Sequence, residues 1–318
     1  SLQAVVCVAP ALAIDGWREN LRSSLDVSSR PLYYFDADRA ASMNFVGVDI
    51  HKVFSTQHRD VGVLTAQAYL TRIDDVRGYP GFFDDDHDSE VVYRIFNFNF
   101  TGLGEQLPNL RVGHMEVAYG LEHTIDTNGT LQQYGQPQNL GVKADWGMSL
   151  NKEHQRFEYE LSVTSGGGQE LKRQDGSFVL AGRVGTPRDG NLVLGASVYR
   201  SLLRGVVRER AGVDLQYFFG RNNLNAELSS GQNNSDDVLN ALLEFNRFNQ
   251  RESLRFYTQL LYLSNTDGQQ WQRTTNASIG VSYLPDTRLD LSAQYGRTLQ
   301  NPAGTHPSTL SLQVRYRF

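Results

Sequence analysis

The last nine residues, Leu310-Ser311-Leu312-Gln313-Val314-Arg315-Tyr316-Arg317-Phe318, alternate without a break. Leu310, Leu312, Val314, Tyr316 and Phe318 are apolar, and Ser311, Gln313, Arg315 and Arg317 stand between them. A side-chain period of two belongs to a β-strand, here with one greasy face and one wet face. The final residue is aromatic and falls on the greasy face. Strand ends in soluble sheets fray unless tied down, so this ending asks for a partner strand and an apolar surrounding. The alternative is an ordinary edge strand of a soluble β-protein.

Working back from that strand, the same pattern recurs. Val46, Val48 and Ile50 share one face of a strand expected over Met43–Val53. Leu64, Ala66, Ala68 and Leu70 share one over Val61–Thr71, and Phe96, Phe98 and Phe100 another. Strands are expected over Leu110–Leu121 and over Leu140–Leu150, the second placing Lys143 and Asp145 on its polar face. Leu254–Leu263 is ambiguous, because Leu260, Leu261, Tyr262 and Leu263 run together. The count is about sixteen strands, an even number, as a barrel with both chain ends on one side requires. Connections sort by parity. Those after even strands are short: 151–154, 187–190, 220–221 and 285–287. Those after odd strands are long: Arg30–Ala41, Asp74–Ser89, Glu122–Asn139, Ser165–Gly176, Ser230–Asp236 and Thr298–Pro307. A soluble barrel of this size would enclose a hole too wide for side chains to fill. With the apolar faces turned outward they match a hydrocarbon slab, the polar faces line water, and closure leaves no unpaired edge.

Composition agrees. The chain has 318 residues, 40% of them hydrophobic, and a net charge of −5. Its mean hydropathy of −0.43 suits a transmembrane barrel, in which only alternate residues meet lipid. No basic cluster exists, which argues against a nucleic-acid partner. Val5, Val6, Cys7, Val8 and Ala9 followed by Ala11-Leu12-Ala13 read as the remnant of a cleaved export signal, residues 1–13, with a single β-barrel domain over 14–318. Cys7, the sole cysteine, falls in that remnant. The expected fold class is therefore all-β, a single antiparallel transmembrane barrel with short turns at one end and long loops at the other.

The terminal strand resembles the C-terminal signature of Gram-negative outer-membrane β-barrels: a final Phe with apolar residues at every second position before it. The resemblance implies that Leu310, Leu312, Val314, Tyr316 and Phe318 form the closing strand and the signal read by the barrel assembly machinery. It implies a lipid and lipopolysaccharide surrounding, and general porins imply a water-filled diffusion pore and a homotrimer. In general porins the third external loop narrows the lumen. By position that loop is Glu122–Asn139, with Glu122, Asp126 and Tyr134 as constriction candidates. The stretch Arg111-Val112-Gly113-His114-Met115-Glu116-Val117-Ala118-Tyr119-Gly120-Leu121-Glu122 is similar to the R-x-G-x-x-x-x-x-[FY]-G-L-E strand of phosphate-selective-type porins. The lysine-rich lining of such pores is missing, Lys143 being the clear lumen lysine.

Strand parity assigns Lys143, Asp145, Glu158, Glu160, Arg183, Arg208, Arg210, Asp214, Glu244 and Arg255 to the lumen. Both signs are present, and opposed charges across a narrow wet pore set up a transverse field. Arg208, Arg210 and Asp214 are expected to form part of a constriction wall. Asp84-Asp85-Asp86-His87-Asp88 is an acidic run without the ligand spacing of a calcium loop. His123 with Asp126 is the thin case for an outer-membrane enzyme. No catalytic residue, metal site or cofactor is expected. Other readings are a substrate-specific barrel, a sheath around a partner carrying its own haem, an enzyme, or an adhesin.

Overall fold

The computed structural model describes residues 16–77, 88–171, 176–268 and 270–318. The signal remnant and Asp84–His87 lie outside these. Sixteen strands form one sheet: β1 (Leu21–Tyr34), β2 (Arg39–Ser55), β3 (Asp60–Asp74), β4 (Ser89–Phe100), β5 (Asn109–Glu116), β6 (Ala144–Glu153), β7 (Glu158–Thr164), β8 (Phe178–Gly185), β9 (Leu192–Leu203), β10 (Val206–Phe219), β11 (Asn222–Asn233), β12 (Asp236–Phe248), β13 (Leu254–Asp267), β14 (Gln270–Tyr283), β15 (Leu289–Gln300) and β16 (Ser308–Arg317). Among the described residues one short helix, α1 (Gln136–Leu140), interrupts the pattern. Each strand pairs antiparallel with its sequence neighbours, and β16 pairs with β1, so the sheet closes into a barrel.

The closing strand behaves as its alternation demands. Arg315 lies opposite Ser28 and Arg317 opposite Asp26. The Phe318 amide donates to the Leu25 carbonyl at 2.8 Å, which carries the pairing to the last residue. Leu312 and Val314 point out of the barrel, while Gln313 and Arg315 are buried inside it. The same sorting holds around the wall. Outward stand Val46, Val48, Phe96, Met148, Leu161, Val198, Val213, Leu243 and Ile279, all exposed; inward stand Asn97, Ser149, Arg183, Asp214, Asn225 and Glu244, all buried. An apolar outer belt and a polar interior are what a barrel in hydrocarbon needs.

Several connections are shorter than expected. β1 and β2 run on to a tight turn at 35–38 in place of a loop over Arg30–Ala41, and β11 and β12 meet at 234–235 in place of Ser230–Asp236. Residues 117–143 are the longest connection among the described residues, and they leave the wall at the end of the barrel that also carries the turns at 35–38 and 234–235. We call this the loop end and the other the turn end.

The expected strands Leu110–Leu121 and Leu140–Leu150 are both cut short: β5 ends at Glu116 and β6 begins at Ala144. Residues 117–143 leave the wall and enter the lumen. Packing is the reason. Val117, Ala118, Tyr119, Leu140 and Val142 bury themselves against Val179, Ala181, Tyr199 and Leu203 on the inner face of β8 and β9. Fully burying side chains of this size is worth roughly 1.5–3 kcal/mol each, more than a few ladder hydrogen bonds at about 1 kcal/mol net. The departure of β5 leaves the upper edge of β4 without a partner strand. The Gln169 side chain fills the place: its amide oxygen accepts from the Tyr93 amide at 2.7 Å and its amide nitrogen donates to the Tyr93 carbonyl at 2.9 Å.

Candidate functional site

The site is the lumen, and residues 117–143 define its cross-section. At the neck of the loop the Val117 amide donates to the Lys143 carbonyl at 3.0 Å. From there the chain is fastened first to the β9–β11 wall. The Gly120 amide donates to Ser197 Oγ at 3.0 Å, the Leu121 amide to Glu227 Oε2 at 2.7 Å, and the Tyr119 hydroxyl shares a 2.6 Å hydrogen bond with Ser229. Gly120 has φ 64°, and a Cβ there would sit 2.3 Å from Glu227 Oε2, so both backbone shape and close approach require glycine. Arg111, Tyr119, Gly120, Leu121 and Glu122 of the quoted twelve-residue stretch thus each have a task, but the second half of the stretch is the loop's anchor rather than a strand.

The loop then crosses to the opposite wall. Asp126 takes Arg94 of β4 at 3.3 Å. The Asn128 carbonyl accepts from Arg315 Nη1 and the Gly129 carbonyl from Gln313 Nε2, both at 2.7 Å, while Asn128 Nδ2 donates to the Tyr69 hydroxyl at 2.8 Å. A Cβ on Gly129, at φ 79°, would overlap Arg315 Nη1. Returning, Gln132 donates to Asn246 at 3.3 Å and the Gln133 amide to Gln259 at 3.0 Å. Tyr134 packs with Leu263 against Leu121, Leu242 and Leu261. Leu261 and Leu263 face inward to meet the loop, which is why β13 carries apolar residues on both faces and was ambiguous. Finally α1 is held by Arg210, whose Nε donates to Asn139 Oδ1 at 2.8 Å and whose Nη2 donates to the Asn139 carbonyl at 3.0 Å.

Two chambers flank this girder. The one toward the loop end has a volume of about 700 Å³ and is lined by Arg30, Tyr34, Phe45, Arg94, Glu122, Lys143 and a run of amides. The one toward the turn end has about 310 Å³ and is lined by Asn97, Arg111, Glu116, His123, Glu160 and Arg188.

The parity-assigned lumen residues divide into groups. Arg183 holds Asp214 at 2.7 Å and Glu158 at 2.9 Å, and Arg188 reaches Glu158 at 2.8 Å. Asp214 is therefore Arg183's partner, while Arg210 is covered by the loop and Arg208 lies under Gly141; the three do not form one open wall. Glu160 accepts from Arg111 at 2.8 Å and from Ser149. Glu244 accepts from Asn225 at 2.9 Å, Asn246 at 2.6 Å and Gln259 at 3.0 Å. Arg255 donates to Ser282 at 3.2 Å. Asp145 accepts from the amides of Gly166 and Gly168, and so ties down the 165–171 segment.

On the loop, Glu122 and Lys143 form an ion pair, with Lys143 also donating to Thr127 at 3.0 Å. Lys143 precedes β6 instead of lying on it. Burial pushes the Glu122 carboxyl above the usual carboxylate range, and Lys143 opposes that. Burial likewise pushes the Tyr134 phenol well above its ordinary value. His123 turns to Glu160 at 3.2 Å, away from Asp126, so the pair that would have argued for hydrolysis is not assembled. Among the described residues no group of three or more His, Cys, Asp or Glu is placed to hold a metal ion.

The inward apolar patch of β8 and β9 was the signal that sequence reading passed over. Phe178, Val179, Leu180 and Ala181 are apolar in succession, a breach of strict alternation that marks a lumen wall covered by protein.

No protein-family model matches the chain, and no curated protein sequence does. Solved structures do match in shape. OmpF of Salmonella typhi superposes with a TM-score of 0.69 at 10% identity, covering 94% of this chain and 97% of that one. The anion-selective porin of Comamonas acidovorans gives 0.67 at 11%, covering 94% and 99%. A loop-deletion mutant of OmpT, an outer membrane protein of Vibrio cholerae, gives 0.66 at 12%, also covering 94% and 99%. At such identities likeness speaks to the fold, and the fold is that of the Gram-negative outer-membrane porins.

Proposed function

We propose that this chain is a passive channel of the Gram-negative outer membrane, admitting small hydrophilic solutes through a lumen narrowed by residues 117–143. The supporting observation is the wall-to-wall course of that loop, fastened to β9–β13 on one side and to β4 and β16 on the other, with a wet chamber at each face. Glu122, Asp126, Tyr134 and Lys143 then sit at the narrowing, and the loop end faces outward from the cell. No covalent step or cofactor enters the mechanism: a solute sheds part of its water, passes the charged rim and regains it. A sheath around a partner protein fits less well, because the loop already occupies the lumen. A homotrimer is part of the proposal, one comparison structure being described as a trimer form of OmpT. So are contacts with lipid and lipopolysaccharide, and recognition of the terminal strand by the assembly machinery.

Liposome swelling tests the reading. Vesicles carrying the refolded protein should swell in small sugars, faster for a monosaccharide than for a trisaccharide. Vesicles that stay at the rate of protein-free controls would refute it.

A further inference from the structure

Residues 117–143 cross the lumen as a bar, and a bar leaves an aperture on each side. The two apertures differ. On the side of β4–β7 the bar is bolted to the wall by charge. Arg94 of β4 reaches Glu116 of β5 at 3.2 Å and Asp126 of the loop at 3.3 Å. Lys143, at the neck, pairs with Glu122 and donates to Thr127 at 3.0 Å. His123 reaches Glu160 of β7 at 3.2 Å. On the other side, among the described residues, neither β14 nor β15 makes a hydrogen bond or an ion pair to the loop. The loop is tied instead to strands on either side of them, by the Gly129 carbonyl to Gln313 of β16 and by Gln132 to Asn246 of β12.

Chain geometry keeps the loop off that wall. Gln132 follows Gly129 by three residues, a reach of at most about 11 Å. From β16 to β12 the wall runs through four strand spacings, about 19 Å. The side chains of Gln313 and Asn246 make up the difference, and the chord of backbone between them cannot follow the arc of β13–β15. Strand register sets one stretch of wall opposite the chord. Gln313 is level with Ser292 and Ser282, and Asn246 is level with Tyr257, Gly280 and Gln294, one pair further along. That stretch is low. The Tyr257 ring lies on Gly280, where a Cβ would sit 2.2 Å from Tyr257 Cζ, and its hydroxyl donates to Gln294 at 2.8 Å, so the ring lines the wall instead of standing into the lumen. Ser282 and Ser292 are buried, and long side chains lie beside them: Arg255 donates to Ser282 at 3.2 Å, and Arg30 to Gln313. We infer that solutes pass the loop between residues 129–132 and the β13–β15 wall, where Ser282, Ser292 and Tyr257 set the width, while the ion-paired aperture on the β4–β7 side stays shut. The inference rests on the channel reading and names its route.

Cysteine substitution tests the route, in a Cys7→Ser background because Cys7 is the chain's sole cysteine. Ser292→Cys and Thr127→Cys place one small thiol in each aperture, and Ser282→Cys, opposite Ser292, serves if the first variant does not fold. The reagent is a methanethiosulfonate carrying a trimethylammonium group. Its adduct at Ser292→Cys should lower single-channel conductance at least about twofold, and its adduct at Thr127→Cys should leave conductance unchanged. A block from Thr127→Cys, alone or together with one from Ser292→Cys, would overturn the inference, as would a conducting channel whose Ser292→Cys thiol stays unlabelled by mass. Labelling of Ser292→Cys in a folded barrel that does not conduct would leave the aperture standing and remove the channel.

Discussion

At the residue scale, the interior is built from charges that satisfy one another. Asp26 and Arg315 join the first strand to the last, and both are buried, with Arg315 Nε 2.8 Å and 2.9 Å from the two carboxylate oxygens. Breaking a buried pair by removing one partner costs about 3–5 kcal/mol, because a charge is stranded. Arg315→Leu should therefore lower the barrel's resistance to urea by that order, and the double variant with Asp26→Leu should recover most of the loss; a single variant as stable as wild type would contradict the role assigned to the pair. Glu122 offers a pH test. Burial raises its pKa above the usual 4.5, so the docked loop binds this proton more tightly than an undocked loop would. Its contribution to docking is therefore present below that ordinary value and lost as pH rises through the raised one. Amide-exchange protection of Gly120 and Leu121, corrected for intrinsic rate, should fall as pH rises through that raised value, and Glu122→Gln should flatten the fall.

At the scale of elements, alternation told most of the story, and its failures are informative. The outward faces of β2, β3, β4 and β16 could be read directly because lipid imposes one requirement on every second residue. The loop's inward course could not, since its anchors are contributed by strands far away in sequence: Ser197, Glu227 and Ser229 for the first half, Gln313 and Arg315 for the crossing. No local pattern encodes such contacts. Parity assigns Arg183, Glu158 and Asp214 to the lumen, where they meet as one ion-paired cluster, whereas parity could not tell that Arg210 is covered and Asp145 is spent on a neighbouring segment. Two substitutions probe this level. Tyr119→Ala removes a fully buried ring and its bond to Ser229, and should weaken loop docking by roughly 3–5 kcal/mol, seen as proteolytic cleavage within 117–143 by an added protease at rates wild type resists. Gln169→Ala strips the partner from the Tyr93 amide and carbonyl at the unpaired edge of β4, and should lower the thermal midpoint of the barrel. A thermal midpoint unchanged in Gln169→Ala would mean that water already serves that edge.

At the scale of the whole molecule, two opposed demands shape one surface. Hydrocarbon wants every backbone group paired and every outward side chain apolar, which closure and the belt of Val, Leu, Ile and Phe provide. Water inside wants polar walls, and a sixteen-strand circumference leaves more room than those walls can fill. The chain resolves the excess by folding one of its own loops into the hole. The account stands on that lumen being wet and continuous past the loop. Single-channel recording of the refolded protein in a planar bilayer tests it most directly. The account predicts stable, stepwise conductance, with larger steps once Tyr119→Ala has loosened the loop. Silent membranes carrying a barrel shown to be folded by its circular dichroism would contradict it.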